Sequence, residues 1–438
     1  MNKPLCVVSC PIDTYSGYGA RSRDFVKSLI DLDKYDVKIL SQRWGNTKFG
    51  YLNEHNEVDL RSRIITTQLN QQPDLWVQIT VPNEFQPAGK FNIGVTAAME
   101  TTHCDPSWVA GVNRMNLTLV SSNHSKQSLL NSVFEEKDKN TQKTIKKIQV
   151  EKPIEVLFEG MDPFKFIPSP SRNFDLSEIK ETFNFLVVGH WLPGVLGEDR
   201  KNIPYTIKTF LETFKNKPNQ PGLILKITKG NTSIMDRENI LDSIDKIKKS
   251  VKGKLPSVYL IHGDVTDGEM NLLYNHPKVK AMVSLTKGEG FGRPLLEFSF
   301  IKKPIIASGW SGHVDFLDPN YCILLPGELK DVDKSALQKN VIIQGSKWFT
   351  PDPVKIGQAY KQIFKHYKDS LVKAKQLGTR NIKMFSDKAM TELLKEYVEK
   401  YVPEFATQVP LNMPQMQLPK LKKVESKPEI KLPKLKKL

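Results

Sequence analysis

The chain has 438 residues, 39% hydrophobic and 26% charged, with a formal net charge of +16. That length exceeds one ordinary core and predicts two or three domains, and no apolar run reaches the ~18 residues that a membrane-spanning helix needs. The basic balance suits an anionic ligand, whether a phosphate, a nucleic acid or an acidic membrane surface, without choosing among them.

At the start, MNKPLCVVSCPID holds one short apolar patch followed at once by turn residues. This predicts a buried first strand rather than a signal peptide, and a cytoplasmic protein. Cys6, Cys10, Cys104 and Cys322 are scattered, with no CxxC pair and no Cys/His cluster, so reduced thiols and no metal site are expected.

Short apolar runs then alternate with helical patterns. CVVSC, YDVKIL, LWVQI, FNIGVTA and LTLVSS read as buried parallel strands, with a helix over Ala20–Leu32. FNFLVVG, LILKIT, VYLIHG, KAMVSL and PIIAS repeat the pattern, with helices over Asn202–Phe214, Arg237–Val251 and Gly268–Tyr274. The fold class expected is α/β, two Rossmann-like parallel-sheet domains. The charged segment Val133–Pro153 between the two sets reads as a solvated helix or an insertion. Turn residues and prolines after IEVLFEG mark a linker. The expected organisation is a first domain over 1–170 and a second over 176–385. A helix over 386–403 would pack back on the first domain, and a disordered Lys/Pro-rich tail would fill 404–438. LPKLKK occurs twice in that tail, at Leu418–Lys423 and Leu432–Lys437, and the final 21 residues hold eight Lys and two Glu. Such a tail serves as a solubility spacer or as an arm drawn to phosphate or to an anionic membrane surface.

The stretch KGEGFGRPLLEFSF, Lys287–Phe300, places a glycine turn between the strand KAMVSL and a helix opened by Pro294. Backbone N–H groups at Gly292 and Arg293, together with the helix dipole, make an anion site at the carboxyl end of a parallel strand. Glu289 and Glu297 flank this turn. Carboxylates do not bind phosphate, but they accept hydrogen bonds from hydroxyls. Hydroxyls, a diphosphate and further hydroxyls make a nucleotide diphosphate sugar.

This combination resembles the retaining glycosyltransferases of the GT-B fold, group 1, often called family four, which carry a Glu-x7-Glu motif in their C-terminal half. The similarity runs from GDVTDGEMNLLYN through GWSGHVDFL, Gly263–Leu317. VLFEGMDPFKF, SNHSKQSLL and YSGYGARSRDF look like further family segments, so that the resemblance covers roughly residues 5–400. It implies two domains facing across a cleft, no cofactor beyond the nucleotide-sugar donor, no metal, and a glycan or lipid-linked acceptor. It assigns the transferred sugar to Glu289 and the ribose hydroxyls to Glu297. Gly290, Phe291, Gly292, Arg293, Gly17, Gly19 and Thr266 join the donor-binding set. The family usually has Gly-Arg after the first strand of the second domain; here His190 stands in that place, which leaves Lys201 and Arg200 to neutralise the diphosphate. The family's His-Asp near the reacting carbon has Glu100 or His103 as its counterpart. Such a chain works in the cytoplasm or peripherally at the membrane, and its sequence sets no oligomeric state.

Two other readings stand beside this one. A transferase acting on modified nucleic acid bases fits the basic body and tail, since several segments look similar to enzymes encoded by large phages. A non-enzymatic nucleotide-binding scaffold on the same fold fits the replacement by His190.

Overall fold

The computed structural model describes residues 3–405, apart from 139, 140, 142, 143, 170–172, 193–196 and 231; all of the expected tail except Glu404 and Phe405 lies outside the described residues. The first half builds on β1 (Leu5–Cys10), β2 (Asp36–Ser41), β3 (Leu75–Ile79), β4 (Phe91–Thr96) and β5 (Leu117–Val120). An antiparallel hairpin follows, β6 (Phe134–Lys137) with β7 (Thr144–Ile148), and then β8 (Ile154–Val156). The six long-range strands pair in parallel in the order β2-β1-β3-β4-β5-β8. Every residue of β1 is buried, as a strand covered on both faces requires.

The second half repeats the plan with β9 (Asn184–His190), β10 (Gly222–Thr228), β11 (Val258–Ile261), β12 (Val279–Ser284), β13 (Ile305–Ser308) and β14 (Ile323–Leu325). Their order is β11-β10-β9-β12-β13-β14, all parallel. Strands are therefore added to opposite sides of the sheet on either side of β9 and β12, leaving a crevice beyond their carboxyl ends where open α/β sheets take ligands. A second hairpin, β15 (Gly327–Asp331) with β16 (Lys347–Pro351), hangs from this half.

Two sequence expectations change. Val133–Pro153 is an insertion, but it forms the β6–β7 hairpin and not a helix. Its register sets Glu135 opposite Lys147 and Glu136 opposite Lys146, so opposite charges face each other across the strands. The first helix starts at Gly17, three residues before Ala20, because the Ser16 hydroxyl accepts the Gly19 N–H and caps it. Gly17 and Gly19 thus belong to a helical turn.

The helix Asp387–Tyr401 lies against the helix Gly17–Asp31. Its Met390, Leu394 and Val398 are buried in the core beneath β1–β3. A Cβ on Gly160 would meet Asp387 Cα and the Ser386 carbonyl, each at 2.8 Å, so a side chain there would push this helix away. All four cysteines are free thiols, three of them buried. Among the described residues no helix is long and apolar enough to cross a membrane.

Leu394→Ala is expected to cost the N-terminal core about 2–5 kcal/mol, the range for emptying a fully buried leucine site. Urea unfolding would read this as an earlier transition; a loss under about 1 kcal/mol would remove the C-terminal helix from that core.

Candidate active site

The crevice beyond β9 and β12 collects charge. Lys201 Nζ lies 2.6 Å from Glu289 Oε1, and Arg200 Nη1 lies 3.4 Å from Oε2. Arg200 Nη1 also donates to the Gly288 carbonyl at 2.7 Å, and Nη2 reaches Glu100 Oε1 across the cleft at 3.1 Å. The Glu289 N–H donates to Ser311 Oγ at 2.9 Å. Burial alone would raise the pKa of Glu289. Lys201 and Arg200 overcome it and hold the carboxyl near 2, so it stays ionised and accepts hydrogen bonds.

Glycines let the two halves meet here. A Cβ on Gly288 would sit 1.9 Å from the Glu100 carbonyl, and one on Gly290 2.8 Å from the Ala97 carbonyl. Gly292 has φ +101° and caps the helix Arg293–Phe300, a conformation that favours glycine, with Pro294 in its first turn. Ser125 Oγ ties the halves further, 2.6 Å from the Ala97 carbonyl and 3.3 Å from that of Gly290.

Arg293 points across the cleft. Its Nη1 lies 2.9 Å from Asp24 Oδ2 and 3.2 Å from Glu159 Oε2, so its charge meets carboxylates of the first half. Glu297, one turn on, accepts a hydrogen bond from the Tyr274 hydroxyl at 3.0 Å. Burial pushes its pKa up to about 7 against the pull of Arg293. The two glutamates face different spaces. Glu289 lines a cavity of about 230 Å³ together with Gly17, Tyr18, Trp44, Phe291 and Gly292. Glu297 lines a smaller one beside Lys165 and Asp267, and Arg293 borders both.

The remaining sequence candidates divide. Gly17 borders the larger cavity and faces open space, whereas Gly19 is pressed on the Thr14 carbonyl, 2.2 Å from where its Cβ would be. His190, at the end of β9, has Nδ1 3.2 Å from Thr228 Oγ1. Burial lowers its pKa, with Lys201 and Arg200 adding to the shift, so it stays neutral and does not replace an arginine's charge. His103 bonds Thr102 through its ring, and its carbonyl accepts from Thr101 and Ser346. Among the described residues no hydrogen bond or ion pair joins it to Glu289, Lys201 or Arg200. Thr266 is exposed and caps the helix Asp267–Asn275 in a capping box with Glu269. Sequence reasoning missed Asp24, Glu159, Tyr274 and Ser311. Glu159 stood inside the segment VLFEGMDPFKF, but nothing local in the sequence linked it to Arg293.

No protein-family profile and no curated protein sequence matches the chain. Solved structures do match. A glycosyltransferase from Rickettsia africae ESF-5 superposes with TM-score 0.61 at 14% identity, over 91% of this chain and 99% of that one. Sucrose-phosphate synthase from Thermosynechococcus elongatus gives 0.59 at 12%, over 91% and 99%. HepE of Anabaena in complex with UDP-glucose gives 0.59 at 11%, over 90% and 100%. The chain has the GT-B fold, two Rossmann-like halves facing a shared cleft.

The raised Glu297 pKa makes stability depend on pH. A carboxyl whose folded pKa lies above its unfolded value of 4.5 contributes fully below that value and loses the contribution as pH rises toward 7. Glu297→Gln should therefore gain on the order of 2 kcal/mol relative to the parent between pH 4.5 and pH 8. Denaturant unfolding at the two pH values measures it, and equal differences at both would contradict the shift.

Proposed function

We propose that the protein is a glycosyltransferase that moves a sugar from a nucleotide diphosphate sugar to a hydroxyl of a glycan or glycolipid, with retention of configuration and without a metal ion. The observation that carries this reading is the convergence of Lys201, Arg200 and Glu289 at the crevice between β9 and β12, beside the start of the helix Arg293–Phe300. The fold shared with HepE, solved in complex with UDP-glucose, supports it.

In this reading the diphosphate lies at the helix start, where backbone N–H groups and the dipole favour an anion. Lys201 and Arg200 turn from Glu289 to the phosphate oxygens and stabilise the charge that grows as the leaving group departs. Glu289, kept ionised, accepts hydrogen bonds from the transferred sugar. Glu297 accepts them from the ribose when it is ionised, above about pH 7. The anomeric carbon–oxygen bond to phosphate breaks through an oxocarbenium-like state. The acceptor oxygen bonds that carbon on the same face, and its proton passes to the departing phosphate oxygen. The protein cations supply the charge a metal would otherwise bring.

Incubation with a panel of UDP-, GDP- and ADP-sugars tests the reading; no consumption of any donor would contradict it. Lys201→Ala should lower kcat by about 10²–10³-fold, the effect of removing one preorganised stabiliser of developing charge. Glu297→Ala should instead act mainly on donor KM. EDTA should leave the rate unchanged, and NMR of the product should show the donor's anomeric configuration.

A further inference from the structure

The loop between β2 and the short helix Tyr51–Glu54 overhangs the larger cavity. Its ends are pinned to the first half. Gln42 N–H donates to the Cys10 carbonyl at 2.8 Å, Tyr15 N–H to that of Lys48 at 3.0 Å, and Gly50 N–H to that of Asp13 at 3.0 Å. From this loop the Trp44 indole stacks on the Tyr18 ring, with centroids 4.0 Å apart and planes inclined by 21°. Tyr18 cannot swing away readily. Its hydroxyl bonds Thr96 Oγ1 at 3.0 Å and accepts the Ala97 N–H at 3.1 Å, the same Ala97 that faces Gly290. Trp44 is partly exposed, and its indole N–H has no partner among the described residues.

An aromatic plate held from behind, bordering a cavity with Glu100, Glu159 and Glu289, suits one kind of molecule. A pyranose has an apolar C–H face that packs on an indole and a rim of hydroxyls that donate to carboxylates. The cations bordering this cavity are engaged, and the carboxylates, though paired with Arg200, Lys201 and Arg293, keep lone pairs that can accept hydroxyl hydrogens, so an uncharged polyol suits the cavity better than an anion. Arg293 is held by Asp24 and Glu159, and the Arg21 guanidinium donates to the Leu157 and Phe158 carbonyls. We infer that Trp44, backed by Tyr18, is the platform on which a pyranose ring of the acceptor stacks within reach of the sugar held at Glu289. This rests on the transferase reading above and adds the side chain that seats the acceptor sugar.

The test titrates the full chain with methyl α- and β-pyranosides of glucose, galactose and mannose, in the presence of saturating UDP or GDP, following tryptophan fluorescence and heat. At least one pyranoside should bind the parent. Trp44→Ala should weaken that binding about 10- to 100-fold, the loss expected for removing a large apolar contact. Trp44→Phe, which keeps a ring, should fall between. In both variants the Kd for UDP or GDP should hold within about twofold, which separates loss of the platform from misfolding. Pyranoside binding unchanged in Trp44→Ala, or no pyranoside bound by a parent that binds the nucleotide, would overturn the inference while leaving the donor site intact. Failure of every nucleotide to bind the parent would overturn the transferase reading and this inference with it.

Discussion

Two stretches of backbone meeting without side chains between them set the geometry of this protein. Gly288 and Gly290 face the carbonyls of Glu100 and Ala97 at distances no Cβ tolerates. Because the halves touch at that point, Glu289 is enclosed, Arg200 reaches Glu100, and the ends of two separate sheets share one cavity. A β-carbon at either glycine would force the halves apart and let water into the charged cluster.

Enclosure then decides the electrostatics. Two carboxylates eight positions apart in one motif end with pKa values near 2 and near 7, because Lys201 and Arg200 sit on one, while at the other burial outweighs the pull of Arg293 and the Tyr274 hydrogen bond. Burial raises both; only the proximity of two cations reverses the outcome for Glu289. Arg293 is taken up by Asp24 and Glu159, so the same residue that begins the helix after the glycine turn also fastens it to the other half. The cluster is thus a set of mutually satisfied charges. A diphosphate that binds Lys201 and Arg200 must replace their bonds to Glu289, and Glu289 is then available to hydroxyls.

The first half contributes more than a wall. Tyr18 comes from the first turn of the helix that the Ser16 hydroxyl caps, and Trp44 from a loop after the second strand. The C-terminal helix returns from the second half to bury Met390, Leu394 and Val398 under β1–β3, which joins the two halves a second time.

Much of this was legible along the chain. Buried strands such as Leu5–Cys10 and Asn184–His190 announce themselves as apolar runs between turn signals, because a parallel strand covered on both faces needs an unbroken apolar sequence. The turn with Gly292 and Pro294 was equally readable, since left-handed backbone and a helix start favour those residues. The hairpin at Phe134–Ile148 was not, because its charges suit a solvated helix as well as a cross-strand ladder until the register is known. Nor were Asp24, Glu159 and Tyr274 as partners of Arg293 and Glu297, or Trp44 over Tyr18. These pairs are separated by up to hundreds of positions, and local periodicity carries no information about which side chains two folded halves bring to the same cleft. By itself the sequence determined the buried strands, their α/β alternation and the glycine–glutamate turn, all of which depend on neighbouring residues. The tertiary structure alone decided which cation meets which carboxylate, because that follows from how two sheets face each other.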